Sequence, residues 1–326
     1  MKSKLALFPT LPTLIAGLTS IFKDSGLIKK TVKVLHRQPF DLMSTFPCEI
    51  VTCQLENGRE LQIFCKYSAE KNHDTDFDHW GGISYEGSIY QHVLQPLSLS
   101  KPFFFGTYKD TANNIWLVIE YLKDSISLQM CWQEPLLSRV LAAQWIGEFH
   151  ASSKFFSSTI PPYKLKIYDF DYYMRWAKRT LKLIKKRQYH YPWLESVCDV
   201  WKKIVNTYLL PSQTIIHGEY FLDNILFQNG KIYPVDWESA AIAAGEIDLA
   251  FLTQCAPKEI VDKCIVEYRK MRWQNKTSPE FERRLAAAQL YAGFRWLAEP
   301  SHWDLKNGTH WCLEEFYCAG QLLGLV

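Results

Sequence analysis

The chain has 326 residues with 37 Lys and Arg against 34 Asp and Glu, a net charge of +3, and is 48% hydrophobic and 15% aromatic. This length suits about two domains and this apolar content a packed core, while so small a charge excess gives little support to a nucleic-acid partner. Nine scattered cysteines with no Cys-x-x-Cys pair argue against a disulfide framework or a zinc site and for reduced thiols in a cytoplasmic setting.

Leu5 to Phe22 run without a charge behind Lys2 and Lys4, the outline of a weak signal peptide. Pro9, Pro12 and several Ser and Thr interrupt that run. Leu14, Ile15, Leu18, Ile21 and Phe22 share one helical face, so the expectation is an amphipathic helix docked on the first domain. No later stretch approaches the ~20 continuous apolar residues of a membrane span.

Glu49 to Gln54 and Glu60 to Lys66 flank Asn57-Gly58, a hairpin signal. The segment before them, Met43-Ser44-Thr45-Phe46-Pro47, holds no glycine. It is either a phosphate-binding turn, using the Ser44 and Thr45 hydroxyls and backbone amides, or an ordinary entry into the strand. Tyr85, Ile89, Tyr90 and Val93 have helical spacing and put Glu86 on that helix. Asn114 to Tyr121 reads as a buried strand with a polar exit from Leu122 to Ser127, and Leu136 to Ser152 as a helix ending in His150-Ala151-Ser152.

From Asp171 to Tyr208 the pattern is helical. Arg175, Lys178, Arg179, Lys182, Lys185, Lys186 and Arg187 put seven basic residues into thirteen positions with no acid among them. Such a stretch is either a solvated face or one wall of a binding site, and as a wall it would repel a polycationic substrate.

The chemistry is concentrated further on, in Ile216-His217-Gly218-Glu219-Tyr220-Phe221-Leu222-Asp223-Asn224-Ile225-Leu226 and Tyr233-Pro234-Val235-Asp236-Trp237-Glu238. Phosphoryl transfer needs a group that orients the attacking hydroxyl and oxygen ligands that hold magnesium against the triphosphate. Glu219 followed five positions later by Asn224 has the base-then-metal order of a kinase catalytic loop. Strands Asn224 to Gln228 and Ile232 to Val235 around Asn229-Gly230 form a second hairpin, from which Asp236 emerges as a further oxygen ligand of the kind magnesium takes.

These motifs resemble the aminoglycoside phosphotransferase and choline kinase family, small-molecule kinases with a protein-kinase-like fold. The resemblance spans roughly residues 40 to 320 and implies an α+β, bilobal chain. Residues 1–122 would be a small, nucleotide-binding lobe with an antiparallel sheet, one main helix and the N-terminal helical extension. Residues 123–326 would be a large, mostly helical lobe with the catalytic loop, metal site and acceptor pocket. It further implies that Lys66, paired with Glu86, holds the α and β phosphates and that the backbone of Glu120, Tyr121 and Leu122 meets adenine. His217 and Gly218 would shape the catalytic loop, Asn224 and Asp236 would bind Mg2+, and Glu219 would be the base. His150 would pack behind the catalytic loop, and Asp248, in Asp248-Leu249-Ala250, would brace it. The family's usual residue at the base position is Asp; a Glu reaches farther by about 1.5 Å, one carbon–carbon bond.

The function expected is magnesium-dependent transfer of the γ-phosphoryl group of ATP or GTP to a hydroxyl of a small molecule. A nucleotide-binding pseudokinase that has lost turnover through Glu219 is the alternative. A protein kinase fits less well, because the triplet begins His-Gly and no long activation segment follows Asp236. The carboxyl end carries Tyr291, Phe294, Trp296, Trp303, Trp311, Phe316 and Tyr317 with Glu299, Asp304, Glu314 and Glu315. This is either core or an aromatic and acidic pocket for an amine.

Overall fold

The computed structural model describes residues 8–40, 46–69, 81–131, 133–152, 165–187, 192–211, 213–274, 276, 279–299 and 310–325; Ser44 and Thr45 lie outside the described residues, as do Trp303 and Asp304. The chain forms two units, Met1–Ser125 with Tyr233–Ser239, and Ile126–Ile232 with Ala240–Val326.

In the first unit, helix α1 (Leu11–Asp24) starts at Thr10, whose hydroxyl accepts from the Thr13 amide at 3.4 Å, a side-chain N-cap. Its buried face, Leu14, Gly17, Leu18, Ile21 and Phe22, joins Val51, Ile63, Trp116 and Val118 of the sheet in one apolar cluster. The apolar stripe of the sequence is therefore the docking face of an amphipathic helix. Strands β1 (Lys33–Pro39), β2 (Cys48–Gln54), β3 (Glu60–Ala69), β4 (Phe104–Lys109) and β5 (Asn114–Glu120) form one antiparallel sheet in the order β1-β2-β3-β5-β4. β2 and β3 pair without a slip from Cys48↔Lys66 to Gln54↔Glu60. Helix α2 (Gly82–Ile89) runs on into a π-helical turn, Tyr90–Leu94. β1 has no buried residue along its length. An edge strand of that kind is formed by its ladder to β2 and not by an apolar face, so no alternation announces it.

The second unit is mostly helical. It contains β6 (Ile126–Ser127), α3 (Pro135–Ser152), β7 (Lys166–Ile167), α4 (Phe170–Arg187), α5 (Pro192–Ile204), β8 (Gln213–Ile216), β9 (Ile225–Gln228) and the first two residues of β10 (Lys231–Pro234). β11 (Ala241–Ala244), α6 (Glu246–Thr253), α7 (Lys258–Trp273), α8 (Phe281–Leu297) and α9 (His310–Leu322) complete it. Two small sheets, ordered β10-β9-β6 and β7-β11-β8, carry the loops that matter for function. α3 packs on α7, and α8 packs on α6 and α9. No helix among the described residues is long and apolar enough to cross a membrane.

One expectation needs correction. Asn224 does not begin a strand: it closes a single 3-10 turn, Leu222–Asn224, and β9 begins at Ile225. The helical pattern from Asp171 to Tyr208 is carried by α4, α5 and a π-helical turn at Val205–Leu209. The Asn229-Gly230 turn is as expected, both residues having positive φ, 51° and 73°, the geometry that a two-residue hairpin of this twist requires.

Candidate active site

Within the first unit, one buried ammonium gathers several carboxylates. Lys66 lies on β3, paired with Cys48 of β2 on one side and Leu117 of β5 on the other, so its backbone is fixed by two ladders. Its Nζ is 2.8 Å from Glu86 Oε2 on α2 and 2.6 Å from Asp236 Oδ1, and it stands 5.1 Å from the centre of the Phe46 ring. The other oxygen of Glu86 accepts from the Trp237 amide at 3.3 Å, so Glu86 holds both the lysine and the backbone after Asp236. Burial opposes the charge of Lys66, but Glu86, Asp236 and Glu238 outweigh it and hold its pKa well above the ordinary lysine value. One positive group among three carboxylates leaves a local negative excess, which a hard cation would neutralise.

Asp236 differs from its neighbours in exposure: 37% of its side chain faces solvent, against 2% for Glu86 and 6% for Lys66. Its φ of 66° is a left-handed conformation that Asp and Asn tolerate better than other side chains. Among the described residues no three His, Cys, Asp or Glu side chains converge into a metal cage. A single accessible carboxylate fits magnesium, which keeps several waters and takes one or two carboxylates together with phosphate oxygens.

The amides of the strand exit are partly committed. Glu120 N donates to Phe103 O at 2.8 Å and Tyr121 N to Gln62 O at 3.3 Å. The Glu120 carboxylate accepts from the Phe103 amide at 3.1 Å. Of the three residues expected at adenine, Glu120 and Tyr121 thus have their amides engaged within the chain.

Within the second unit, the loop after β8 is held from below by one carboxylate. Asp248, fully buried in the first turn of α6, accepts from the His217 amide at 2.7 Å and the Gly218 amide at 2.9 Å. Gly218 has φ 83°, a conformation that glycine adopts without a side-chain clash. His150, at the end of α3, places Nε2 3.1 Å from Asp248 Oδ2 and Nδ1 3.0 Å from Tyr268 Oη. Arg272 donates to the same phenolic oxygen at 2.5 Å and pairs with Glu246 at 3.3 Å. With Arg272 donating, the Tyr268 hydroxyl gives its proton to Nδ1, and Nε2–H faces Asp248. Burial lowers the pKa of His150, despite the opposing pull of Asp248. His150 therefore acts as a buried brace of the loop.

The loop itself is cross-linked. The Glu219 carbonyl accepts from the Asn224 side-chain amide at 3.0 Å and the Phe221 amide at 2.7 Å. The Glu219 amide donates to His217 Nδ1 at 3.3 Å. Tyr220 Oη donates to Ala142 O at 3.0 Å, tying the loop to α3.

One partner of Glu219 was not foreseen. Arg295, in the last turn of α8, puts Nη2 2.5 Å from Glu219 Oε1 and Nη1 3.4 Å from the Gly218 carbonyl. Their side chains are only 10% and 11% exposed. Burial opposes the charge of Arg295, but Tyr291 and Glu219 outweigh it and keep its pKa well above the ordinary arginine value. The available signal was the segment Leu290–Leu297, in which Arg295 is the lone charge in an apolar and aromatic run; such an arginine needs a buried partner.

The structure thus groups Lys66, Glu86 and Asp236 in one unit and His217, Glu219, Asn224, Asp248 and Arg295 in the other. The basic residues of α4 divide: Arg175, Lys178, Lys182, Lys185 and Lys186 are exposed, while Arg179 donates from Nε to Ala298 O at 2.7 Å. Tyr291, Phe294 and Phe316 are buried core residues.

Residues 89–300 match a family model described as the phosphotransferase enzyme family. Among solved structures, the chain is similar to the choline kinase LicA from Streptococcus pneumoniae, at 15% identity and a TM-score of 0.56 over 94% of this chain and 99% of that one. It is also similar to a choline kinase from Cryptosporidium parvum Iowa II, at 13% identity and a TM-score of 0.58 over 90% and 89%. A third is the ADP-bound aminoglycoside phosphotransferase APH(2'')-Ib, at 14% identity and a TM-score of 0.50 over 93% and 97%. The shared fold is the protein-kinase-like one, with an antiparallel sheet and a mostly helical remainder. No curated protein sequence matches the chain.

Proposed function

We propose, from the premise that the chain belongs to the phosphotransferase enzyme family, that it transfers the γ-phosphoryl group of ATP or GTP to a hydroxyl of a small molecule. The observation that carries this reading is the buried Lys66, held at 2.8 Å from Glu86 and 2.6 Å from the partly exposed Asp236. A lysine locked between two carboxylates on a rigid sheet is a prepared seat for phosphate oxygens, and phosphoryl transfer depends mainly on such positioning and charge. Residues 1–122 would bind the nucleotide, with Lys66 and Glu86 at the phosphates and Leu122 at the base. Residues 123–326 would bind the acceptor. Asn224 and Asp236 would be the magnesium ligands, and the ion, when bound, would neutralise phosphate charge. Glu219 would orient the acceptor hydroxyl or take its proton. Nine free thiols suit a reducing compartment such as the cytoplasm.

A second reading, a nucleotide-binding protein without turnover, draws on the Glu219–Arg295 pair, since an ion-paired carboxylate is less available to an acceptor. The test is a screen of hydroxylated metabolites for stimulated ADP or GDP release, with Asp236→Asn and Glu219→Gln as controls. Loss of one preorganised charge contact costs on the order of 10²–10³ in rate, and Asp236→Asn should fall by at least that. Unchanged release in Asp236→Asn would remove the site assignment. Tight nucleotide binding with no acceptor in the screen would favour the second reading.

A further inference from the structure

Arg295 sits in surroundings that elsewhere recognise a ligand. Its guanidinium carbon lies 5.1 Å from the centre of the Trp176 ring on α4 and 5.9 Å from that of Phe251 on α6. Tyr291 lies one turn earlier on α8, with its hydroxyl 2.8 Å from that of Tyr172 and its ring 6.3 Å from Phe251. Glu219 completes the enclosure at 2.5 Å and the Gly218 carbonyl at 3.4 Å. Aromatic faces with one carboxylate and a carbonyl are the chemistry that binds ammonium and guanidinium ligands. Here that chemistry is satisfied by the chain's own side chain, on the carboxylate that the proposed function assigns to the acceptor.

We propose that Arg295 is the resident occupant of a cation site beside Glu219 and acts as a specificity determinant, barring positively charged acceptors and leaving the site to hydroxyl compounds that are neutral or anionic. A permanent guanidinium cannot be discharged to make room, and a second cation brought against the same carboxylate meets like charge at close range. The exposed Arg175 and Lys178 of α4, on the helix that supplies Trp176, add charge of the same sign. The longer reach of Glu219 has a use in this arrangement: an aspartate there would end about 1.5 Å short of the oxygen that Arg295 now holds. The acceptor class rests on the phosphotransfer reading; the cation site does not.

The experiment removes the occupant and offers a substitute. Arg295→Ala is titrated with tetramethylammonium and with guanidinium chloride at low millimolar concentration, against sodium chloride at equal ionic strength and without nucleotide. Tryptophan fluorescence and the thermal midpoint are the readouts. Saturable binding of either ion to the folded variant, absent from the unsubstituted protein and lost again in Arg295→Ala/Trp176→Leu, is expected. A folded Arg295→Ala that binds neither ion, or an unsubstituted protein that binds them equally, overturns the proposal. If the variant folds poorly because Glu219 has lost its Arg295 partner in a buried place, its refolding yield is measured with each ion and with sodium. Recovery with either organic cation supports the site, and no recovery overturns it. Because these readouts need no nucleotide, they stand whether or not Asp236→Asn supports phosphotransfer. In the acceptor screen, turnover of an amino alcohol or aminoglycoside by the unsubstituted protein would overturn the specificity.

Discussion

Replacing Asp248 with alanine removes one acceptor from three buried donors: the His217 amide at 2.7 Å, the Gly218 amide at 2.9 Å and His150 Nε2 at 3.1 Å. Asp248, His217 and His150 are at most 2% exposed, so water does not readily replace the lost oxygens. An unsatisfied buried donor costs about 1–3 kcal/mol, which bounds three of them at about 9 kcal/mol. The donors share one carboxylate and the loop can relax, so the effects are not additive, and we expect a local loss of about 4–6 kcal/mol on the same reasoning. Asp248→Asn keeps one carbonyl oxygen but turns an NH2 toward a backbone N–H, and should cost roughly half as much. Hydrogen exchange of the 213–228 segment reads the effect directly. Since 1.4 kcal/mol is tenfold, the His217 and Gly218 amides should exchange at least a hundredfold faster in folded Asp248→Ala. Protection within about threefold of the unsubstituted protein would mean that something other than Asp248 holds the catalytic loop.

Two further outcomes follow from the same geometry. His150 has a folded pKa below its ordinary 6.5, so below pH 6.5 the unfolded chain takes up a proton that the folded chain resists. Its contribution to stability is therefore full above that pH and is lost as pH falls. A denaturation series from pH 7.5 to 5 should show a steeper decline in the unsubstituted protein than in His150→Gln, and parallel curves would contradict the assignment. In Gly17→Ala the added Cβ would lie 2.3 Å from Trp116 and 2.9 Å from Tyr108, an overpacking worth about 1–3 kcal/mol. The variant should melt earlier and expose α1 to proteolysis, and an unchanged melt would mean that α1 is not seated as described.

Much of this arrangement was legible because it rests on local pattern. Lys66 and Glu86 could each be placed from the sequence, on a strand ending after Gln62-Ile63-Phe64-Cys65 and on a helix carrying Tyr85, Ile89 and Val93, while their pairing was implied by the family resemblance and not by the period. The turn at Asn229-Gly230 declared itself by composition. Arg295 did not, because its partner is 76 positions away and only the packing of α8 beside the loop after β8 joins them. β1 was missed for a different reason, since a strand without a buried face leaves no hydrophobic period to read. The basic stretch of α4 could be read as wall or as solvated face, and the exposure of Arg175, Lys178, Lys182, Lys185 and Lys186 favours the latter for most of it.

The segment Tyr233–Ser239 belongs with residues that precede it by more than a hundred positions. It supplies Asp236 to Lys66, the Trp237 amide to Glu86 and, through the Glu238 carbonyl, an acceptor to the Gly81 amide at 2.7 Å. During synthesis at about 5–20 residues per second, the first 125 residues wait roughly 5 to 20 s for this strap. In that interval the nascent sheet carries the Lys66–Glu86 pair without its third member. A ribosome stalled before residue 233 should therefore display a first unit that is open to protease at α2, and release past residue 239 should close it.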